Sequence, residues 1–320
     1  MFYSKYLTGG ERNVFKKLLI PLLSLSLLVT PAYSSHAAEN AEAAGTSIEG
    51  QGMLSPSSSS ESSESVFNGS GAGTSSEPVT DEKLETILKQ VQSQLPAENG
   101  TWAVFISDLV NGTEGSLNDQ KMQAASLIKL YIMGAVYENY DQITGQYGRD
   151  SVDSNLYSMI TVSDNDAANT LTTYLGGGDS AAGMQAVNSF CQAHGYDQTH
   201  MGRMLLASNE NDDNYTSVGD CGHLLQEIYK QDTSGYTHAA DMFNLLKAQT
   251  RCNKIPAQLP EGVKTANKTG ELDNVENDAG IIYDSKNDVV IVFMSQNLSS
   301  AGSAQNTIAT LSRTIYDYYN

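Results

Sequence analysis

Basic side chains are scarce: the chain carries 18 Lys and Arg against 37 Asp and Glu in 320 residues, a net charge of −19. Nucleic acid is thereby excluded as a partner, because phosphate binding draws on clustered Lys and Arg. Long apolar runs are also missing. The most apolar stretch, Leu18 to Val29, has 12 residues and contains Pro21, whereas a bilayer span takes about 20. Cysteine occurs only as Cys191, Cys221 and Cys252, in a spacing that fits no zinc pattern. His194, His200, His223 and His238 likewise lack metal spacing and read as surface or locally bonded residues. The acidic run around Asp212 and Asp213 lacks the calcium-loop pattern and reads as solvated. No metal and no cofactor is implied.

The N-terminus carries an address. Lys16 and Lys17 precede the apolar run, and Ser35-His36-Ala37 places small residues where a signal peptidase cuts. Residues 1–37 read as a cleaved signal, so the chain is expected to be secreted or held at the cell surface. No cysteine near the cut supports a lipid anchor. The mature chain keeps 14 basic and 36 acidic residues, a net −22. Export permits a disulfide; the preference is Cys191 with Cys221, and three free thiols is the alternative. Residues 38–79, rich in Ser, Gly and Glu, read as a disordered linker able to hold a domain off a wall or membrane surface. The folded domain is expected over 80–320, as a monomer.

Within it, Thr80 is the expected cap of a helix carrying Leu84, Ile87, Leu88, Val91 and Leu95. A strand over 101–106 and a tight Asn111-Gly112 turn follow, with a second strand near 114–117. An apolar helix from about Ser126 to Tyr140 shows little amphipathicity and is expected to be central. Helices are expected over 152–160, 166–175, 180–195, 220–231 and 238–250, and strands over 263–269, 278–283 and 289–295. A terminal helix runs over 303–318. Strands at both ends with helices between give an α+β fold: one antiparallel sheet from both chain ends, flanked by helices, with an inserted all-α lobe. A cleft between the two is the natural site.

Three short motifs carry chemistry. Ser126 and Lys129 stand three apart on a helix, on one face, as a nucleophile and its proton acceptor. On the order of one such pair arises by chance in a chain this long. Lys129, however, lies in an apolar run where an unpaired ammonium is costly. Ser163-Asp164-Asn165 falls at a helix-to-helix corner and Lys268-Thr269-Gly270 at the end of a strand. Each exact triplet has a chance expectation of roughly a few hundredths, so the ordered set is not accidental.

This set resembles the penicillin-recognising serine acyl-transferases, most closely the class A β-lactamases. The resemblance covers about Thr80 to Asn320 and includes Val162 to Asn169, Asn267 to Glu271 and Glu276 to Ala279. It implies the β-lactamase/transpeptidase-like fold, with a β-lactam or a peptidoglycan peptide ending in D-Ala-D-Ala as substrate. It further implies that Ser126 forms an acyl-enzyme, Lys129 takes its proton, and Ser163 passes a proton to the leaving nitrogen. Lys268 would hold Ser163 and attract the substrate carboxylate, which Thr269 would bond. Asn165 would bind the substrate amide and brace Lys129. Gly270 would let the substrate lie along the strand, and the Ser126 and Glu271 amides would form the oxyanion hole.

The pattern departs at two places. Class A enzymes carry Arg-x-Glu-x-x-x-Asn, whose glutamate activates the water that clears the acyl-enzyme. Here Arg203 and Asn209 match, but Leu205 stands at the glutamate position. Glu210, one residue beyond Asn209, is the candidate carboxylate to stand in for it from a different direction. The interval from Ser126 to Ser163 is also about twenty residues shorter than is usual in such enzymes. The expectation is an acylating serine hydrolase slow to release β-lactams. The alternatives are a cell-wall D,D-carboxypeptidase, or a wall-binding protein without turnover.

Overall fold

Alternation within single strands builds two cores, one on each face of a sheet. The computed structural model describes residues 81–320; the expected signal and linker lie outside them. The chain opens with α1 (Glu82–Gln94), β1 (Thr101–Asp108), β2 (Thr113–Leu117) and the short β3 (Met122–Gln123). A 3₁₀ turn over Ala125–Leu127 leads into α2 (Ile128–Glu138), then α3 (Tyr140–Tyr147), α4 (Arg149–Thr161), α5 (Asn165–Leu175) and α6 (Ser180–Ala193). Next come β4 (Tyr215–Thr216), α7 (Val218–Tyr229) and α8 (Ala239–Lys247). The chain ends with β5 (Lys264–Leu272), β6 (Val275–Tyr283), β7 (Val289–Gln296) and α9 (Ala301–Tyr319).

Five strands form one antiparallel sheet in the order β2-β1-β7-β6-β5, so the first strands of the domain pair with the last. In β1, Trp102, Val104 and Ile106 pack with Leu84, Ile87 and Val91 of α1 and Ile308, Leu311 and Ile315 of α9. Ala103 and Phe105 face the other way, into a core shared with α2 and α7. That period of two is what a strand buried on both faces requires. The expected α+β architecture is the one observed.

α2 is the axis of the helical lobe. Every residue from Ile128 to Tyr137 is buried, which accounts for its lack of a polar face. Three local expectations need correction. Asp81, not Thr80, caps α1, its carboxylate accepting from the Lys83 and Leu84 amides at 3.0 and 3.4 Å. The apolar helix does not run unbroken to Tyr140: Asn139, whose side chain bonds back to the Ala135 carbonyl at 2.9 Å, separates α2 from α3. The β1–β2 connection is four residues long rather than two, because the Asp108 carboxylate gathers the Val110 and Asn111 amides.

The preferred disulfide is not formed; all three cysteines are free thiols. Cys221 is enclosed in the lobe, its sulfur accepting from the Tyr131 hydroxyl at 3.4 Å, and burial pushes its thiol up to about 12. Asp213 is not solvated as expected. It is buried and takes the Arg203 guanidinium on Oδ1 at 2.7 Å and the Gln123 amide on Oδ2 at 3.0 Å. Desolvation opposes its ionisation, but these donors hold its carboxyl below the usual range.

Candidate active site

The motif residues meet where the helical lobe abuts β5. Ser126 sits in the 3₁₀ turn ahead of α2, after Ala125, whose φ of +47° is left-handed backbone. Such strain persists where the surroundings over-determine it, and it clusters at functional sites. Asn277 of β6 supplies the restraint, donating to the carbonyls of Gln123 (2.9 Å) and Ala124 (3.2 Å). Ser163, also left-handed at φ +62°, turns the corner between α4 and α5. Asp164 caps α5, accepting from the Ala167 amide at 2.8 Å, so its carboxylate stabilises the corner.

Lys129 is the hub. It is fully buried, and its Nζ lies 2.7 Å from Asn165 Oδ1, 2.7 Å from the Ser163 carbonyl, and 3.2 Å from both Ser126 Oγ and Ser163 Oγ. Desolvation lowers its pKa to about 7; Asp164 opposes the shift and Arg251 adds to it. Lys268 is also fully buried, with Nζ 2.9 Å from Ser163 Oγ and 2.7 Å from the Thr269 carbonyl. Burial, then the nearby Lys129 charge, holds it well below an ordinary lysine. Two amines thus share one hydroxyl without an adjacent carboxylate bonded to either, which favours the neutral form of at least one.

A cavity of about 260 Å³ opens over Ser126, lined by Asn165, Leu205, Leu206, Asn209 and Leu272 among others. Leu205 is only 8 % exposed. Its backbone is clamped on both sides by Asn169, which accepts from its N–H at 2.8 Å and donates to its carbonyl at 3.0 Å. Arg203 and Asp213 brace the same loop. Glu210 is exposed and does not line the cavity.

Among the other expected site residues, Thr269 is buried and Glu271 turns its carboxylate away, toward Arg251 (2.9 Å) and Lys254 (3.1 Å). Gly270 has a further reason to be glycine. A Cβ there would come within 2.8 Å of the Ala124 carbonyl and 3.3 Å of Ala125 Cβ, so the missing side chain admits the segment that carries Ser126.

Lys254 was not singled out from the sequence. It is fully buried beneath β5, donating to the Asn277 and Gly270 carbonyls at 3.0 and 3.4 Å. Glu276 Oε2 lies 2.7 Å away but off the hydrogen-bonding directions, so that contact is mainly Coulombic. A Lys254→Met variant would leave the Glu276 carboxylate buried without its cation. We expect it to lose about 3–5 kcal/mol of stability, read as a lower urea midpoint. No local pattern marks Lys254, because its partners lie in strands further along the chain.

Comparison with known proteins agrees with this geometry. The family model described as the β-lactamase enzyme family matches residues 83–150 and 146–319. No curated protein matches the chain. Among solved structures, PBP-A is 22% identical, covering 73% of this chain and 96% of its own, with a TM-score of 0.64. A leucine-to-glutamate mutant of PBP-A, solved as an acyl-enzyme complex with penicillin G, gives 23%, 73%, 96% and 0.63. The β-lactamase of Sphaerobacter thermophilus DSM 20745 gives 22%, 73%, 96% and 0.61. At these identities the structures establish a shared fold, and the family model spans nearly the whole described region. The chain belongs to the β-lactamase enzyme family.

Proposed function

We propose that the protein is an exported serine hydrolase that forms an acyl-enzyme on Ser126 with β-lactams or peptides ending in D-Ala-D-Ala, and releases β-lactam acyl groups slowly. The observation that carries this reading is the 3.2 Å approach of Lys129 Nζ to Ser126 Oγ, with burial lowering that amine to about 7. Two of its contacts, to Asn165 Oδ1 and the Ser163 carbonyl, can only accept. With its two N–H groups given to those acceptors, a neutral amine has its lone pair left for the Ser126 proton.

In this reading Ser126 attacks the carbonyl and Lys129 takes its proton. The negative charge on the carbonyl oxygen is met by the Ser126 and Glu271 amides. Ser163 passes a proton to the departing nitrogen and recovers it from the Lys129–Lys268 pair. Lys268 and Thr269 bind the substrate carboxylate, and Asn165 and Asn209 its flanking polar groups. The leucine-to-glutamate PBP-A mutant was solved as an acyl-enzyme complex with penicillin G, which supports acylation by this fold.

Leu205 favours cell-wall peptide over β-lactam as the substrate that is turned over. A D,D-carboxypeptidase has no need of a carboxylate at that position for its own peptide. The test is release of D-alanine from a peptide ending in D-Ala-D-Ala, compared with a Ser126→Ala variant. Release by the natural chain alone supports the reading. Equal release by both argues against Ser126 as the nucleophile, and none by either, with penicillin also failing to modify Ser126, argues for a wall-binding protein without turnover.

The glycine contact supplies a graded check. Gly270→Ala pushes on the Ala124 carbonyl and displaces Ser126. We expect acylation to slow by about tenfold or more, since small misplacements of reacting groups are costly, and stability to fall by about 1–3 kcal/mol.

A further inference from the structure

A second cavity, of about 470 Å³, lies between α2, α4 and α8 and shares no lining residue with the cavity over Ser126. We propose that it binds a pyranose saccharide. Its size falls within the range of ligand sites, about 300–1,000 Å³.

The floor is aromatic. Tyr137 and Tyr140 are buried and stacked with ring centroids 5.5 Å apart, and His238 stacks on Tyr137 at 5.2 Å and lies tilted against Tyr140 at 4.8 Å. Tyr157 stands over the same cavity with 56 % of its surface exposed, although it is a large ring with a core close by. The buried rings cover one another, so Tyr157, the exposed ring among them, is the one that can pack against the C–H face of a pyranose, which is apolar while its edge is lined with hydroxyls.

The rim is polar and offers both hydrogen-bonding signs. Asp153 spends Oδ1 on the Tyr140 hydroxyl, and Asp241 spends Oδ2 on His238 Nδ1 at 2.8 Å. Each keeps its other oxygen as an acceptor. Arg149 uses Nη1 on the Tyr140 hydroxyl at 3.1 Å and retains further donors, and Asn244 contributes an amide. Hydroxyls donate and accept, so a mixed rim of this kind suits a polyol edge.

A cationic ligand fits less well, because the Arg149 guanidinium already lies 5.1 Å from the Tyr140 ring centre. His238 adopts a left-handed φ of +65° and is held there by Asp241, a strained residue at the cavity wall. Tyr157 is also less than two helical turns ahead of Ser163. A bound sugar would therefore lie on the same lobe as the serine site. The proposal does not depend on the chemistry of Ser126.

The test is calorimetric titration of the full chain with an N-acetylglucosamine tetramer and, separately, with cellotetraose. Saturable binding of either, with a Kd of about 1 mM or tighter, is expected. Tyr157→Ala and Asn244→Ala, both exposed positions, should each weaken it by about tenfold while penicillin still modifies Ser126 at the natural rate. Binding of neither sugar, or binding unchanged in both variants, would overturn the proposal. Because adduct formation on Ser126 is read separately, failure here leaves the serine chemistry standing.

Discussion

A Leu205→Glu variant is expected to release penicillin from Ser126 about 10²- to 10⁴-fold faster than the natural chain, the usual worth of a general base. Leu205 lines the cavity that contains Ser126, and its backbone is fixed on both sides by Asn169. A glutamate there would enter the cavity from an unmoved main chain. Leucine has no group that accepts a proton, so water entering beside the ester meets no base on this wall. Arg203 lines the same cavity and would favour the ionised form of the new carboxylate, the form that acts as a base. The lifetime of the adduct, followed by intact mass after excess penicillin is removed, reads the effect. An unchanged lifetime would mean that position 205 does not face the acyl carbonyl.

The second large effect concerns Lys129. Lys129→Met keeps most of the buried volume and removes the amine, so we expect acylation to slow by about 10²- to 10⁴-fold. The loss strands Asn165 Oδ1 and the Ser163 carbonyl, so stability should also fall by about 1–3 kcal/mol. The pH profile separates the chemical from the structural contribution. Burial lowers Lys129 to about 7. Below that pH it is protonated and cannot take the Ser126 proton; above it the amine is free. Acylation by the natural chain should climb through about pH 7 and level off, and the Lys129→Met variant should lose that rise. A rise that survives the substitution would assign the titration to Lys268, whose pKa is also depressed.

The parts of this site readable from sequence are those built from near neighbours. Ser126 and Lys129 share a helical face because they are three residues apart, and Ser163 to Asn165 make a corner within three residues. The sheet was legible for a similar reason, since β1 and β7 are short unbroken apolar runs, as strands buried on both faces are. What was not legible depends on partners distant in the chain. Asp213 looked like one of several loop acids, yet Arg203 and Gln123 bury it. Cys191 and Cys221 looked pairable in an exported chain, yet the Cys221 thiol is bonded by Tyr131. Lys254 gave no local signal, since the carbonyls and carboxylates that justify burying it come from β5 and β6. Gly270 was readable as a glycine that something must approach. That the Ala124–Ala125 segment approaches it emerges only from the fold.

In the proposed function Ser126 is acylated readily and released slowly. Time-resolved intact mass spectrometry of the full chain with penicillin, followed by peptide mapping, tests it most directly. One added penicilloyl mass, located on Ser126, is expected to form promptly and persist long after free penicillin is removed. Rapid return to the unmodified mass with penicillin consumed, or an adduct on any other residue, would contradict it.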